Sequence, residues 1–167
     1  MNLAVCIFHS KSGYCDLEKT KESLKTLSCS YNIYLFDTLE VIKEFAINAK
    51  EDWILILNDR EYLDHKLSEI FNVLFSQDDV GAFSFYCTQL VGTDIIFFLA
   101  IRLVRSGVKF KNLTLALDDK NIQIVKILDG WVFEHGIDSY TVHRYLKHHQ
   151  QSIENNEGGS STIRKAS

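Results

Sequence analysis

Four consecutive polar residues, Asn58-Asp59-Arg60-Glu61, close the apolar run Trp53-Ile54-Leu55-Ile56-Leu57. If the chain stays extended beyond Leu57, Asp59 and Glu61 lie on one side of it. Two carboxylates so placed can hold a divalent cation such as manganese or magnesium, which takes oxygen ligands. Either can also serve as acid or base toward a bound hydroxyl. Arg60, between them, offers a different chemistry, because a guanidinium meets a diphosphate in bidentate fashion without any metal. A third reading is a polar turn that caps the strand, and the residues alone leave all three open. Two further groups follow apolar runs. His9-Ser10-Lys11-Ser12-Gly13 comes after Leu3 to Phe8 and either lines a nucleotide pocket or is only a connection. Asp37 comes after Tyr31 to Phe36 and can cap a helix that starts at Thr38.

These groups need elements to position them. Leu3 to Phe8 is continuous and apolar, as a strand buried on both faces would be. Asp16 can cap a helix running to Leu27, with Leu17, Leu24 and Leu27 on one face. Tyr31 to Phe36 reads as a second strand and Trp53 to Leu57 as a third. Between them Leu39 to Ala49 has helical spacing at Val41, Ile42, Phe45 and Ala49, and Asp64 opens another helix with Leu67, Ile70, Phe71 and Leu74 apolar. The sequence β-α-β-α-β-α implies a parallel sheet covered by helices, with few topologies left once crossovers are right-handed.

The second half has another character. Val80 to Leu90, Ile95 to Arg105, Val108 to Leu117, Ile122 to Leu128 and Trp131 to Glu134 are strand-like and separated by Gly, Asn and Asp turns. Ser139 begins a last helix, in which His143, Arg144, Lys147 and His148 form a basic cluster that either attracts a diphosphate or an acidic partner or faces solvent. The fold class expected is α/β: a single three-layer domain over residues 1–155, with a parallel half, then a mixed-sheet half and a C-terminal helix. The Gly/Ser-rich tail, 156–167, is expected to lack order. The aromatic content of Phe83 to Ile101, including Phe85, Tyr86, Phe97 and Phe98, is either core or an apolar patch for a protein partner or a second copy.

Composition narrows the partners. A net charge of −4 gives no general attraction to nucleic acid or anionic membrane. No run approaches ~18 apolar residues, so no transmembrane segment is expected. Cysteines 6, 15, 29 and 87 lack Cys-x-x-Cys spacing, which disfavours a zinc site and fits reduced thiols. With no basic n-region or cleavage site at the start, a cytoplasmic location is the expectation.

Several phrases carry a resemblance. Trp53 to Glu61 resembles the central strand of the inverting nucleotide-sugar glycosyltransferases, whose motif reads Trp-Ile-Leu-x-Leu-Asp-x-Asp-Glu; its two metal-side aspartates fall here on Asn58 and Arg60. Asn32-Ile33-Tyr34-Leu35-Phe36-Asp37-Thr38 resembles the second strand of family 2 glycosyltransferases, and Glu44 to Lys50 their following helix. Ile101 to Phe110 resembles the acceptor-half phrase Arg-Leu-Phe-Arg with its Gly and aromatic strand. Phe133-Glu134-His135-Gly136-Ile137-Asp138 resembles the closing His-x-Gly segment.

The resemblance spans residues 1 to about 155 and implies a glycosyltransferase A-type fold. It also implies a nucleotide diphosphate sugar, with or without a divalent metal. Asp37 and Ser10 would then contact the nucleotide, Arg60 and His135 the diphosphate, and Asp59, Glu61 and His135 the metal, with Asp59 and Glu61 as the catalytic residues. The departures point the other way. The chain is shorter than the family before Trp53 by roughly a helix and loop. The metal aspartates are replaced at Asn58 and Arg60, and the acceptor-side His-Glu pair is missing around Leu115-Ala116. Two functions follow: an inverting transferase, or a non-catalytic binding or scaffold subunit that keeps the fold and pairs with itself or an active enzyme. A third is an unrelated α/β domain, flavodoxin-like in its first half.

Overall fold

The apolar runs of the first half pair side by side. A computed structural model of the chain describes residues 1–9, 16–113, 123–144 and 161–164. In it, β1 (Asn2–Phe8), β2 (Ser30–Phe36) and β3 (Trp53–Asn58) run parallel in the order β2-β1-β3. Phe8 is in register with Phe36 on one side and Asn58 on the other, so all three strands end level. Their crossovers are α1 (Leu17–Leu24) and α2 (Leu39–Asn48), one on each face of the sheet. Alternation along the strands accounts for both cores. Leu3, Val5, Ile7, Trp53, Leu55 and Leu57 meet Leu24 of α1, and also Leu67, Phe71 and Phe75 of α3 (His65–Phe75). Ala4, Cys6, Ile54 and Ile56 meet Ile42 and Ala46 of α2. The result is α/β with helices on both faces of a mixed sheet. No helix among the described residues is long and apolar enough to cross a membrane.

Two of the three cap readings hold; at α2 the N-cap position is Thr38, with no side-chain cap bond, so Asp37 does not cap that helix. The Asp16 carboxylate accepts the Lys19 N–H at 3.1 Å and opens α1. Asp64 does the same for Lys66 at 3.5 Å and opens α3. The helix expected to reach Leu27 ends at Leu24, because the next turn tightens: Lys25 N–H donates to Glu22 and Leu27 N–H to Leu24, an i to i−3 pattern.

After β3 the chain turns through Asp59-Arg60 into β4 (Glu61–Leu63), a strand on the far edge of the sheet. β5 (Val80–Val91) and β6 (Asp94–Arg105) form an antiparallel hairpin around Gly92, whose φ of 62° suits glycine. β7 (Gln123–Glu134) runs parallel to β5, and β4 lies antiparallel along β7. The full order is β2-β1-β3-β6-β5-β7-β4, with the antiparallel β6 joining the two halves.

Three expectations change. The two strands expected at Ile122–Leu128 and Trp131–Glu134 are one strand, whose pairing with β5 jumps from Ile127 to Trp131, so Leu128, Asp129 and Gly130 are absorbed as an irregularity. The strand expected from Val108 to Leu117 is reduced to an isolated bridge at Phe110 followed by bends at 111–113; residues 114–117 lie outside those described. Within the tail expected to lack order, β8 (Ser161–Arg164) pairs antiparallel with the start of β6. Of the two readings of Phe83–Ile101, core fits its aromatic residues better than a surface patch. Phe83, Phe85 and Phe97 are buried, and Tyr86, Phe98 and Leu99 are half-buried.

Candidate functional site

The level ends of β1 and β3 place His9 and the Asn58–Glu61 turn together at one edge of the parallel half, where α/β sheets bind ligands. The turn is fixed by its own side chains. Asn58 Oδ1 accepts the Arg60 N–H at 3.0 Å, and the Asn58 N–H donates to Glu61 Oε2 at 2.8 Å. It is also tied to three other elements. Asp59 N–H donates to the Phe8 carbonyl at 3.1 Å, and His135 N–H to the Arg60 carbonyl at 2.7 Å. The hydroxyl of Thr20, on α1, donates to the Glu61 carbonyl at 2.7 Å.

Each acidic side chain here meets a basic one. Asp59 is buried and its Oδ2 contacts His9 Nδ1, on a histidine whose side chain is 64% exposed. Glu61 Oε1 accepts from Arg102 Nη2 at 2.6 Å, with both residues buried. Arg60 Nη2 lies 2.7 Å from Glu134 Oε1, and the other oxygen of Glu134 accepts the Leu90 N–H. The Glu134 N–H in turn donates to Thr88 Oγ1 at 3.0 Å. Asn58, Arg60, Glu61, Arg102 and Glu134, together with Phe8 and Phe98, line a cavity of about 370 Å³.

Arg102 reaches this place because of an irregularity in the hairpin. Phe83 pairs with Leu103, and the next residue, Ser84, pairs with Ile101, so Arg102 is an extra residue in β6. Bulges of this kind re-aim one side chain and recur beside sites. From the sequence Arg102 and Arg105 read together as a solvated strand face, but Arg102 is 4% exposed, and its Nε also donates to Cys87 Sγ at 3.3 Å. Burial opposes its charge, but the adjacent Cys87 and Glu61 outweigh that and hold the guanidinium protonated. Burial pushes the Glu61 carboxyl above the usual range; Arg102 and the Asn58 amide draw it back, and Glu134 and Asp59 push it up again. The Cys87 thiol is pushed up to about 11, mainly by burial, and stays an inert thiol.

His135 belongs to the other side of the turn. Its Nε2 lies 3.2 Å from Thr20 Oγ1. Because that hydroxyl gives its proton to the Glu61 carbonyl, the network assigns the N–H to Nε2. The buried Nδ1 then has no hydrogen-bond partner among the described residues. Burial lowers the pKa of His135, which favours the neutral ring.

The structure thus brings Asp59, Arg60, Glu61 and His135 to one turn, but it does not converge Asp59, Glu61 and His135 on a common point. Asp59 goes to His9, Glu61 to Arg102 and the His135 ring to Thr20. Among the described residues, no group of three or more His, Cys, Asp or Glu is arranged to hold a metal ion. Asp37 is exposed just beyond β2 and does not line the cavity. Ser10 lies outside the described residues, as do Lys147 and His148 of the basic cluster. His143 is not simply solvent-facing, because its Nε2 is 3.1 Å from the buried Asp64. Sequence reasoning missed Thr20, Glu134 and the role of Arg102. A lone arginine inside Ala100-Ile101-Arg102-Leu103-Val104 was a usable signal, since a charge in such a run is buried only if paired.

No protein-family model matches the chain, and no curated protein matches it.

Proposed function

We propose that this chain is a glycosyltransferase-like domain of the nucleotide-sugar-dependent inverting type that binds a sugar-bearing ligand at the Asn58–Glu61 turn and does not transfer it. The observation that carries this reading is the pairing of both cavity glutamates: Arg102 occupies Glu61, and Arg60 occupies Glu134.

Inverting transfer needs a base for the acceptor hydroxyl and positive charge for the departing diphosphate. Glu61 is poorly suited as the base. One oxygen is held by a guanidinium and the other by the Asn58 amide, so neither is left to receive a proton without breaking a buried contact. The residues also do not fit a divalent metal, because the carboxylates are already neutralised and Arg60 puts a fixed cation among them. The cavity is therefore close to charge-balanced, with two acids and two bases, and is lined by amide, hydroxyl and aromatic groups that suit a neutral sugar. The order of elements supports the family likeness: a parallel half whose third strand ends in the turn, then a mixed half whose closing segment returns His135 to that turn.

Calorimetric titration with uridine diphosphate, its hexose conjugates and the free hexoses, with and without manganese, tests the reading. The expected outcome is binding of the conjugate that manganese does not strengthen, with no sugar transferred. Arg60→Ala should weaken it by about tenfold or more. Binding that requires manganese and Asp59, with turnover, would instead make the chain a working transferase. No response to any nucleotide would remove the nucleotide-sugar reading altogether.

A further inference from the structure

β2 ends the sheet, and among the described residues only β1 pairs with it. Edge strands usually carry a device against pairing with a stray strand: a charge, a proline, a bulge, or very short length. Ser30-Tyr31-Asn32-Ile33-Tyr34-Leu35-Phe36 has none of these. It contains no charged residue and no proline, is seven residues long, and keeps one register along β1 from end to end. Its outward apolar side chains are in water, with Ile33 37% and Leu35 60% exposed. Val41 of α2, 45% exposed, stands one helical turn before Phe45, whose ring packs on Tyr34 and Phe36 at 4.7 and 5.3 Å.

We propose that this edge joins two copies of the chain, β2 against β2, antiparallel about a two-fold axis at Ile33. A two-fold contact must be complementary to itself, and this strand is. Ile33 is its midpoint, so Tyr31 faces Leu35 of the second copy, Asn32 faces Tyr34, and Ser30 faces Phe36. Tyr31, Ile33 and Leu35 share one face, opposite Leu3, Val5 and Ile7 of β1, so each apolar row continues into its copy. Aromatic–aliphatic cross-strand pairs are favourable, and like charges directly opposite are not. The uncharged strand offers a charged partner strand nothing to pair with. The chain as a whole carries −4 and repels its copy, so a charge-free edge is where two copies can approach. A strand of this length is about 23 Å long. It buries less than the roughly 800 Å² per side of a standard interface, which makes the dimer weak and concentration-dependent. None of this depends on what the cavity binds.

Sedimentation equilibrium of the full chain tests the proposal. The expected result is a monomer–dimer equilibrium with a Kd of micromolar order. Ile33→Lys places two ammonium groups face to face at the axis, and Ile33→Glu two carboxylates; each should weaken association by about tenfold or more. An equal mixture of the two variants should restore a dimer, now of one copy of each. Circular dichroism of each variant checks that the partly exposed position tolerates the change, and rescue in the mixture excludes misfolding as the cause of the loss. Three results would each overturn the proposal: a wild-type monomer throughout the accessible concentration range, a dimer indifferent to both substitutions, or no rescue on mixing.

Discussion

The two ends of β3 solve the same problem differently. Before Trp53, Glu51 accepts from the Tyr34 hydroxyl at 2.6 Å and from Asn32 Nδ2 at 3.2 Å, and Asp52 accepts the Asn2 N–H at 2.8 Å. All these donors are neutral. After Leu57, Asp59 meets His9 and Glu61 meets Arg102. Both glutamates have little exposed surface, 8% for Glu51 and 7% for Glu61, so the difference lies in depth. Glu51 is flanked by the exposed Asn32 and Asp52, and its Tyr34 hydrogen bond outweighs desolvation. For Glu61 desolvation is the largest influence, and its partner Arg102 is buried too. Neutral donors suffice for a shallow carboxylate, whereas a deep one needs a counter-charge, because its desolvation otherwise goes uncompensated. The enclosed end is also the one that borders the cavity, so the charges there are committed to one another before any ligand arrives.

Substitution should cost most at the enclosed end. Arg102→Met strands Glu61 without its partner and should lower stability by about 3 kcal/mol or more in urea unfolding. The loss should shrink on acidification, as Glu61 takes up a proton. Thr20→Val removes the donor to the Glu61 carbonyl and the acceptor for His135 together, and is expected to lower stability by about 1–2 kcal/mol. Arg60→Ala breaks a pair whose arginine is 30% exposed but whose Glu134 is buried, so about 1 kcal/mol should be lost, less than at Arg102 because the Leu90 N–H still holds Glu134.

The smallest effects should also be the most diagnostic, because the two ends respond to pH with opposite sign. The Tyr34 hydrogen bond holds Glu51 below the ordinary carboxylate range, so its contribution is present above that range and is lost as pH falls through the depressed value. Burial holds Glu61 above the range, so its contribution is present below the ordinary value and is lost as pH rises through the elevated one. Thermal unfolding across pH should therefore show Glu51→Gln flattening the acid limb and Glu61→Gln flattening the limb just above the carboxylate range. If both substitutions acted on the same limb, the two ends would not differ as described.

The parallel half was legible because its signals are local. Leu3–Phe8 and Trp53–Leu57 are apolar throughout, Asp16 and Asp64 cap the helices they precede, and three such units admit only right-handed closure. The turn after β3 was legible as a place where polar chemistry gathers. What it does there was not, since the partners of Glu61 and Arg60 come from residues 41 and 74 positions further along. Arg102 stands alone in an apolar run, and nothing local says whether it faces water or a partner. Only the pairing of β5 with β6 makes it supernumerary and turns it inward. The irregularity that absorbs Leu128–Gly130 likewise arises from pairing with β5, so two short strands were expected where one long one forms. Glycine and aspartate there mark the kink correctly but do not say that the ladder resumes beyond it.

The extra residue in β6 has a genetic corollary. Ala100 and Leu103 serve one core and Ile101 and Val104 the other. Excising Arg102 alone would join Ile101 to Leu103 and leave a ribbon that still alternates correctly from end to end. A single codon, inserted or lost, is then enough to install or delete the cation beneath Glu61 without re-registering any strand. Because that loss would strand the buried Glu61, the two residues are bound to change together, and the strand registers do not oppose such a change.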